Sequence, residues 1–210
     1  MMHIRKVWNG LLYGFYVIVH PFKGFWDLKH EKKGNFGAAG ILLILLIITF
    51  TAKRQLTGFL FNTNNLADLN IILMITSVIV PFSLWCVSNW CITTLVDGEG
   101  KISDIALVTA YSLIPMIIIQ LPMVILSNYI TIGESGIYTF FMTLSIIWTA
   151  FLLIIGIMTV HQFTMLKTIV TILIAIIGMI IMLFLFFMLF ALLQQMANFI
   201  ILIYKELEMR

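Results

Sequence analysis

Ile169 opens the stretch IVTILIAIIGMIIMLFLFFMLFALLQQMANFII, which closes at Ile201 and holds no Asp, Glu, Lys, Arg or His over 33 residues. Water offers nothing to reward such a run. A bilayer does, because its roughly 30 Å hydrocarbon core takes about 20 apolar residues per helix. Working upstream, the same signal recurs over Asn35–Thr51, Ile71–Leu95, Ile105–Leu126 and Ile137–Val160. The expected fold is an all-α membrane protein with five transmembrane helices.

Composition agrees. Of 210 residues, 62% are hydrophobic and 10% charged, and the mean hydropathy is +1.11, far outside the soluble globular range. The length suits one membrane domain and leaves no room for a separate catalytic domain. The net charge of +3 comes from residues clustered at the ends of spans. It speaks to topology and anionic lipid, not to nucleic acid.

The fifth apolar stretch is too long for one crossing. Leu166–Leu192 alone makes about 40 Å of helix at 1.5 Å per residue, already a full tilted span. Gln194, Gln195 and Asn198 follow, with no Gly or Pro between the parts. Either one long helix or a span followed by an interfacial helix over residues 193–208 is expected.

Ahead of the first span, Val7, Leu11, Phe15 and Ile18 recur at helical spacing. After Pro21, which suits the first position of a helix, Phe22, Phe25 and Trp26 form a second apolar face. Two amphipathic interfacial helices explain the pattern, with Trp8 and Trp26 at headgroup level. The chain thus divides into an N-terminal interfacial segment, 1–33, and a five-helix domain, 34–210. Leu11–Val19 is interrupted by Tyr13, Gly14 and Tyr16 and ends in His20-Pro21, so it is read as mature chain, not a cleavable leader.

Orientation follows from the basic residues. Eight (Arg5, Lys6, Lys23, Lys29, Lys32, Lys33, Lys101, Lys167) fall on one side of a five-span chain and four (Lys53, Arg54, Lys205, Arg210) on the other. The richer side is expected to be cytoplasmic, and with it the N-terminus.

The chemistry of catalysis is missing from the pattern. The central parts of the spans hold no ionisable group, which proton relays and ion pathways require. Gly133-Glu134-Ser135-Gly136 imitates the turn around a rhomboid-type nucleophile, but His161 is the nearest candidate base, about 39 Å away along a helix. Gly98-Glu99-Gly100-Lys101 imitates a phosphate loop, yet Ile102 stands where Ser or Thr is needed and both neighbours are membrane helices. Asp104 suits a cap on the third span. Cys86 and Cys91 lie about 140° apart around a helix and read as small buried apolar residues rather than a disulfide or metal site. Pro81, Pro115 and Pro122 read as kinks, and Gly34, Gly37, Ala38 and Gly40 would permit close helix approach. No catalytic, cofactor or metal residue is expected.

The turn and spans around Trp90, Thr94-Leu95-Val96-Asp97-Gly98-Glu99-Gly100-Lys101, Asp104-Ile105 and Thr109-Ala110-Tyr111-Ser112-Leu113-Ile114-Pro115 resemble the bacterial branch of the Yip-domain family. That pattern is a span, a short Gly-containing cytoplasmic turn, then a span of Tyr-x-x-x-Pro type. His20-Pro21-Phe22-Lys23-Gly24-Phe25-Trp26-Asp27-Leu28-Lys29 is similar to the helix that precedes the spans in those proteins. The Asp-Leu-Tyr-Gly-Pro signature of eukaryotic members is absent. The resemblance implies a small non-catalytic protein of the bacterial cytoplasmic membrane, associated with transport systems such as sugar importers.

The function expected from residues and resemblance together is a non-enzymatic accessory or scaffold subunit. Its partners would be membrane lipids and another integral membrane protein, with ABC-type importer permease subunits as the leading candidate. Candidate contacts are Phe22, Phe25, Trp26, Asp97, Lys101, Asp104, Tyr111 and Pro115. Two other readings compete with it. One is a stand-alone channel or carrier whose aqueous cavity would be lined by Ser83, Asn89, Thr93, Ser112 and Gln120. The other is a lipid-handling or membrane-shaping protein built on the two surface helices.

Overall fold

The computed structural model describes residues 2–62 and 70–208, so Arg210 of the charge argument lies outside the described residues. Those residues form α1 (Met2–Val19), α2 (Pro21–His30), α3 (Phe36–Leu56), α4 (Ile71–Leu95), α5 (Ile102–Ser112), α6 (Ile114–Leu126), α7 (Ser135–His161) and α8 (Met165–Glu208), with a 3-10 turn at Ile132–Glu134. No strand occurs among them. Five helical units are long and apolar enough to cross a membrane: α3, α4, α5 with α6, the 3-10 turn with α7, and α8.

Each start has a local cause. The orphan N–H groups of a first helical turn need acceptors. The Asn35 side chain accepts from the Gly37 N–H at 3.0 Å, and that of Asn70 from the Ile72 and Leu73 N–H groups. Asp104 accepts from the Lys101 N–H at 3.2 Å, the cap its position suggests. Pro21 starts α2, where its missing N–H costs nothing. Pro115 has the opposite effect. Lacking an N–H for the Tyr111 carbonyl, it splits the third span into α5 and α6 at Leu113, where the Met116 N–H bonds Leu113 O in a tighter turn.

The helix ends define two faces of the bundle. At one, here end A, the α2–α3 link, the α4–α5 turn and the α7–α8 turn come together. At the other, end B, the α3 and α6 ends are tied: the Gly58 N–H donates to Ser127 Oγ at 2.8 Å and Asn128 Nδ2 to Leu56 O at 2.9 Å. Helix α8 starts at end A and packs antiparallel to α4. Ser88 Oγ donates to Ala175 O at 2.6 Å at their crossing.

Two features of α8 stand out. It is one unbroken helix of 44 residues, so the residue 193–208 segment continues the fifth span. Beyond Leu183, however, every described residue is exposed.

The N-terminal helices are set deeper than their amphipathic pattern suggests. The face of α1 turned to the bundle is Gly10, Gly14 and Val17, with Val7, Leu11 and Ile18 half-buried beside it and Phe15 turned outward. A Cβ on Gly14 would run into the Ile114 Cδ1 methyl, so the small residue lets α1 and α6 approach without moving that side chain. Phe25 of α2 is fully buried in the main core with Val17, Val108, Tyr111 and Leu152. Cys86 is buried, but Cys91 faces outward, contrary to the expectation for both. Their separation of about 140° turns Cys86 inward, into a cluster with Ile105 and Ile157, and leaves Cys91 on an outer side of α4.

Candidate functional site

At end A three segments meet on His161. The α4–α5 turn reverses through Asp97, which holds a left-handed φ of 56°. This brings Gly98 and Gly100 against the imidazole, and a Cβ on either would lie 2.6 Å from a ring atom. The Gly100 N–H donates to His161 Nδ1 at 3.2 Å. With Nδ1 accepting, the neutral ring carries its proton on Nε2, which is buried without a partner. Lys29 of α2 closes the junction, donating to Val160 O at 2.8 Å and pairing with Glu99 at 3.4 Å. This arrangement clamps α2, the α4–α5 turn and α7 together. It contains no nucleophile beside the imidazole: Ser135 stands at the other end of the same helix.

A second polar cluster lies between α1 and α2. Asp27 is 4% exposed. It accepts from Lys33 Nζ at 2.9 Å and from the Tyr13 hydroxyl at 3.4 Å, while that hydroxyl also donates to Gly24 O at 3.0 Å. The Lys33 ammonium holds the Asp27 carboxyl below its ordinary range. Bonds to Glu31 and Asp27 hold the Lys33 ammonium charged well above its own range, and burial raises the Tyr13 phenol. A cleft of about 500 Å³ opens here, lined by Asn9, Tyr16 and Lys23 as well as Tyr13, Asp27 and Lys33.

At the mid-depth of the bundle a pocket of about 380 Å³, open on one side, lies among Phe50, Pro81, Trp85, Thr109, Thr149 and Met179. Its walls are almost wholly apolar. The Trp85 indole N–H is satisfied by Thr109 Oγ1 at 3.1 Å, whereas Thr149 Oγ1 has no partner.

The residues expected to line an aqueous path are not brought together. Ser83 faces outward. Thr93 donates to Asn89 O, Ser112 to Val108 O and Gln120 to Ser145 Oγ. Asn89 is buried with its amide unpaired. None of the five borders the central cavity.

The candidate partner contacts divide. Phe22, Trp26, Asp97 and Lys101 are exposed, and Asp104 is half-buried at its cap. Phe25 and Tyr111 are wholly buried, and Pro115 is buried as well. Tyr111 is held inside by its hydroxyl, which donates to Gly10 O at 3.1 Å. All three pack inside the chain's own core. The longest run of consecutive exposed positions among the described residues is instead Phe184–Glu208 of α8. Its signal in the sequence was the length of the last apolar run.

The architecture defines an all-helical, multi-pass membrane protein with two polar clusters outside the centre of its spans. The profile of the Yip1 domain matches residues 15–203, and the chain belongs to the Yip1 domain family. No curated protein and no solved structure matches it.

Proposed function

We propose that this chain is a non-enzymatic membrane scaffold or accessory subunit that holds another integral membrane protein against the distal half of α8. The observation that carries the reading is the bare, apolar surface of Phe184–Tyr204. Lipid alone does not account for it. Leu166–Ile203 spans about 57 Å at 1.5 Å per residue. Burying that length in a roughly 30 Å core by tilt alone needs an angle near 58°, beyond the 0–40° that membrane helices show. Apolar turns that project beyond lipid favour a protein neighbour.

End A carries most of the described basic residues, and we place it in the cytoplasm. In a bacterial cytoplasmic membrane, the family resemblance makes the permease of an ABC-type importer the first partner to try. Exposed Asp97 and Lys101 then offer contacts on the cytoplasmic side. The test is purification of tagged protein in mild detergent, with a photo-crosslinking residue at Phe187 or Ile200. One stoichiometric protein adduct from both positions supports the reading, while a lone monomer with no protein adduct defeats it.

A lipid-handling role has one observation in its favour, the apolar central cavity. Native mass spectrometry settles it by the presence or absence of a co-purifying lipid that Thr149→Trp expels.

A further inference from the structure

We infer that α1 and α2 form a re-entrant hairpin, which dips into the leaflet at end A and returns without crossing, its outer face covered by acyl chains. This goes beyond the proposed function and does not depend on it.

Depth is the first argument. Both open ends of the hairpin lie at end A: Val7 packs beside Gly37 at the start of α3, and Lys29 bonds Val160 O at the end of α7. The closed end lies elsewhere. Gly14 touches Ile114, which is about 18 Å along the third span from Ile102 at 1.5 Å per residue. One turn further, Phe15 and Val19 border a groove of about 410 Å³ with Pro115, Ile118 and Trp148. Those three sit near the middle of their spans. A helix lying flat on the surface would meet only span ends.

Pattern is the second argument. Trp8, Leu12, Phe15 and Val19 recur at i, i+4, i+7 and i+11 and are 62%, 53%, 58% and 70% exposed. Phe22 and Trp26 continue the same outward surface on α2, at 58% and 46%. The tryptophans stand toward the open ends and Phe15, Val19 and Phe22 toward the tip. That is the order an interface and a hydrocarbon layer select.

The charges fit the same placement. Arg5, Lys6, Lys29, Glu31, Lys32 and Lys33 lie at the open ends. Lys23 and Asp27 are the ammonium and the carboxylate carried inward, and both line the 500 Å³ cleft between the arms, with Asn9 and Tyr16. Ionisable groups at membrane depth face clefts between helices that admit water, and this cleft has the volume to do so. Near the tip, His20 stacks on Tyr16 at 5.0 Å.

The test uses the full chain in phosphatidylcholine–phosphatidylglycerol vesicles, with C86A and C91A as background. Single spin labels at W8C, L12C, F15C, V19C and F22C replace outward side chains, so little packing is lost. Relative access to oxygen and to a nickel chelate gives the depth of each. The expected series deepens steadily from position 8 to position 19, over about 16 Å of helix, with position 22 near the deepest value. A flat series at headgroup depth overturns the inference. Impermeant maleimide applied to R5C and K32C gives an independent readout: labelling from one side of the vesicle supports the hairpin, and labelling from opposite sides overturns it.

Discussion

The hydroxyl of Ser88 donates to the carbonyl of Ala175 at 2.6 Å, and this bond sets the register of α8 on α4. It also tells how far α8 overshoots. Ser88 is 17 positions from the start of α4, so by register Ile71 is level with about Leu192, and about 24 Å of α8 runs on from that level to Glu208.

Gly178 lies against the same hydroxyl, and a Cβ there would sit 2.5 Å from Ser88 Oγ. Ser88→Ala removes one buried hydrogen bond and should cost about 1 kcal/mol. Gly178→Ala should cost about 1–3 kcal/mol through overpacking. The double variant should cost less than the sum, because removal of the hydroxyl makes room for the new methyl. Thermal unfolding in detergent reads all three, and strict additivity would show that this crossing is not where the helices meet.

Asp27 gives the hairpin a pH dependence. Its folded-state pKa is depressed by Lys33, so its stabilising effect is complete above the ordinary carboxylate pKa of about 4 and is lost as pH falls through the lower folded value. Asp27→Asn should therefore weaken the attachment of α2 at neutral pH and flatten the loss seen at acid pH. Limited proteolysis at the α2–α3 link as a function of pH measures both effects. Parallel acid limbs in the two proteins would exclude Asp27 as their origin.

The end-A clamp is tested at Gly100 and His161. Gly100→Ala puts a methyl 2.5 Å from Val160 Cγ1 and 2.6 Å from the imidazole. His161→Ala instead leaves the Gly100 N–H without its acceptor, at a cost of about 1–3 kcal/mol. Both should lower the unfolding temperature and speed hydrogen exchange in the Val96–Lys101 turn. Unchanged exchange there would show that the imidazole does not hold the turn.

What the sequence made legible was whatever depended on apolar length. Ile71–Leu95 was read to the residue, and the five spans emerged because nothing else explains such runs. What stayed hidden was direction. Tyr111 and Pro115 lie on helices apolar on almost every side, which give no periodicity to tell core from lipid, and Phe25 shares the apolar face of α2 with exposed Phe22 and Trp26, so pattern alone does not separate them. On α1 the inward face is marked by Gly10 and Gly14, which register as weak in any hydrophobic pattern although their small size is what admits the helix. Cys91 was misplaced for the same reason. The His161 clamp joins residues 61 positions apart, and no local spacing announces it.

Removal of the chain beyond Leu192 separates the two jobs assigned to α8. The segment Met165–Leu183 contains the buried contacts of this helix, at Thr168, Thr171 and Ala175, and the truncation touches none of them. It still retains Leu166–Leu192, about 40 Å of apolar helix, sufficient for a crossing. The truncated protein should therefore insert, unfold within a few degrees of the full chain, and lose its protein adducts at Phe187. If the adducts persist, the partner is held by the proximal half of α8 or by another face. If the truncated chain fails to accumulate, Ile200→Glu with Phe199→Glu in the full-length chain makes the same comparison, because both side chains are exposed, at 64% and 65%, and lie outside the buried contacts of α8 with the other described residues.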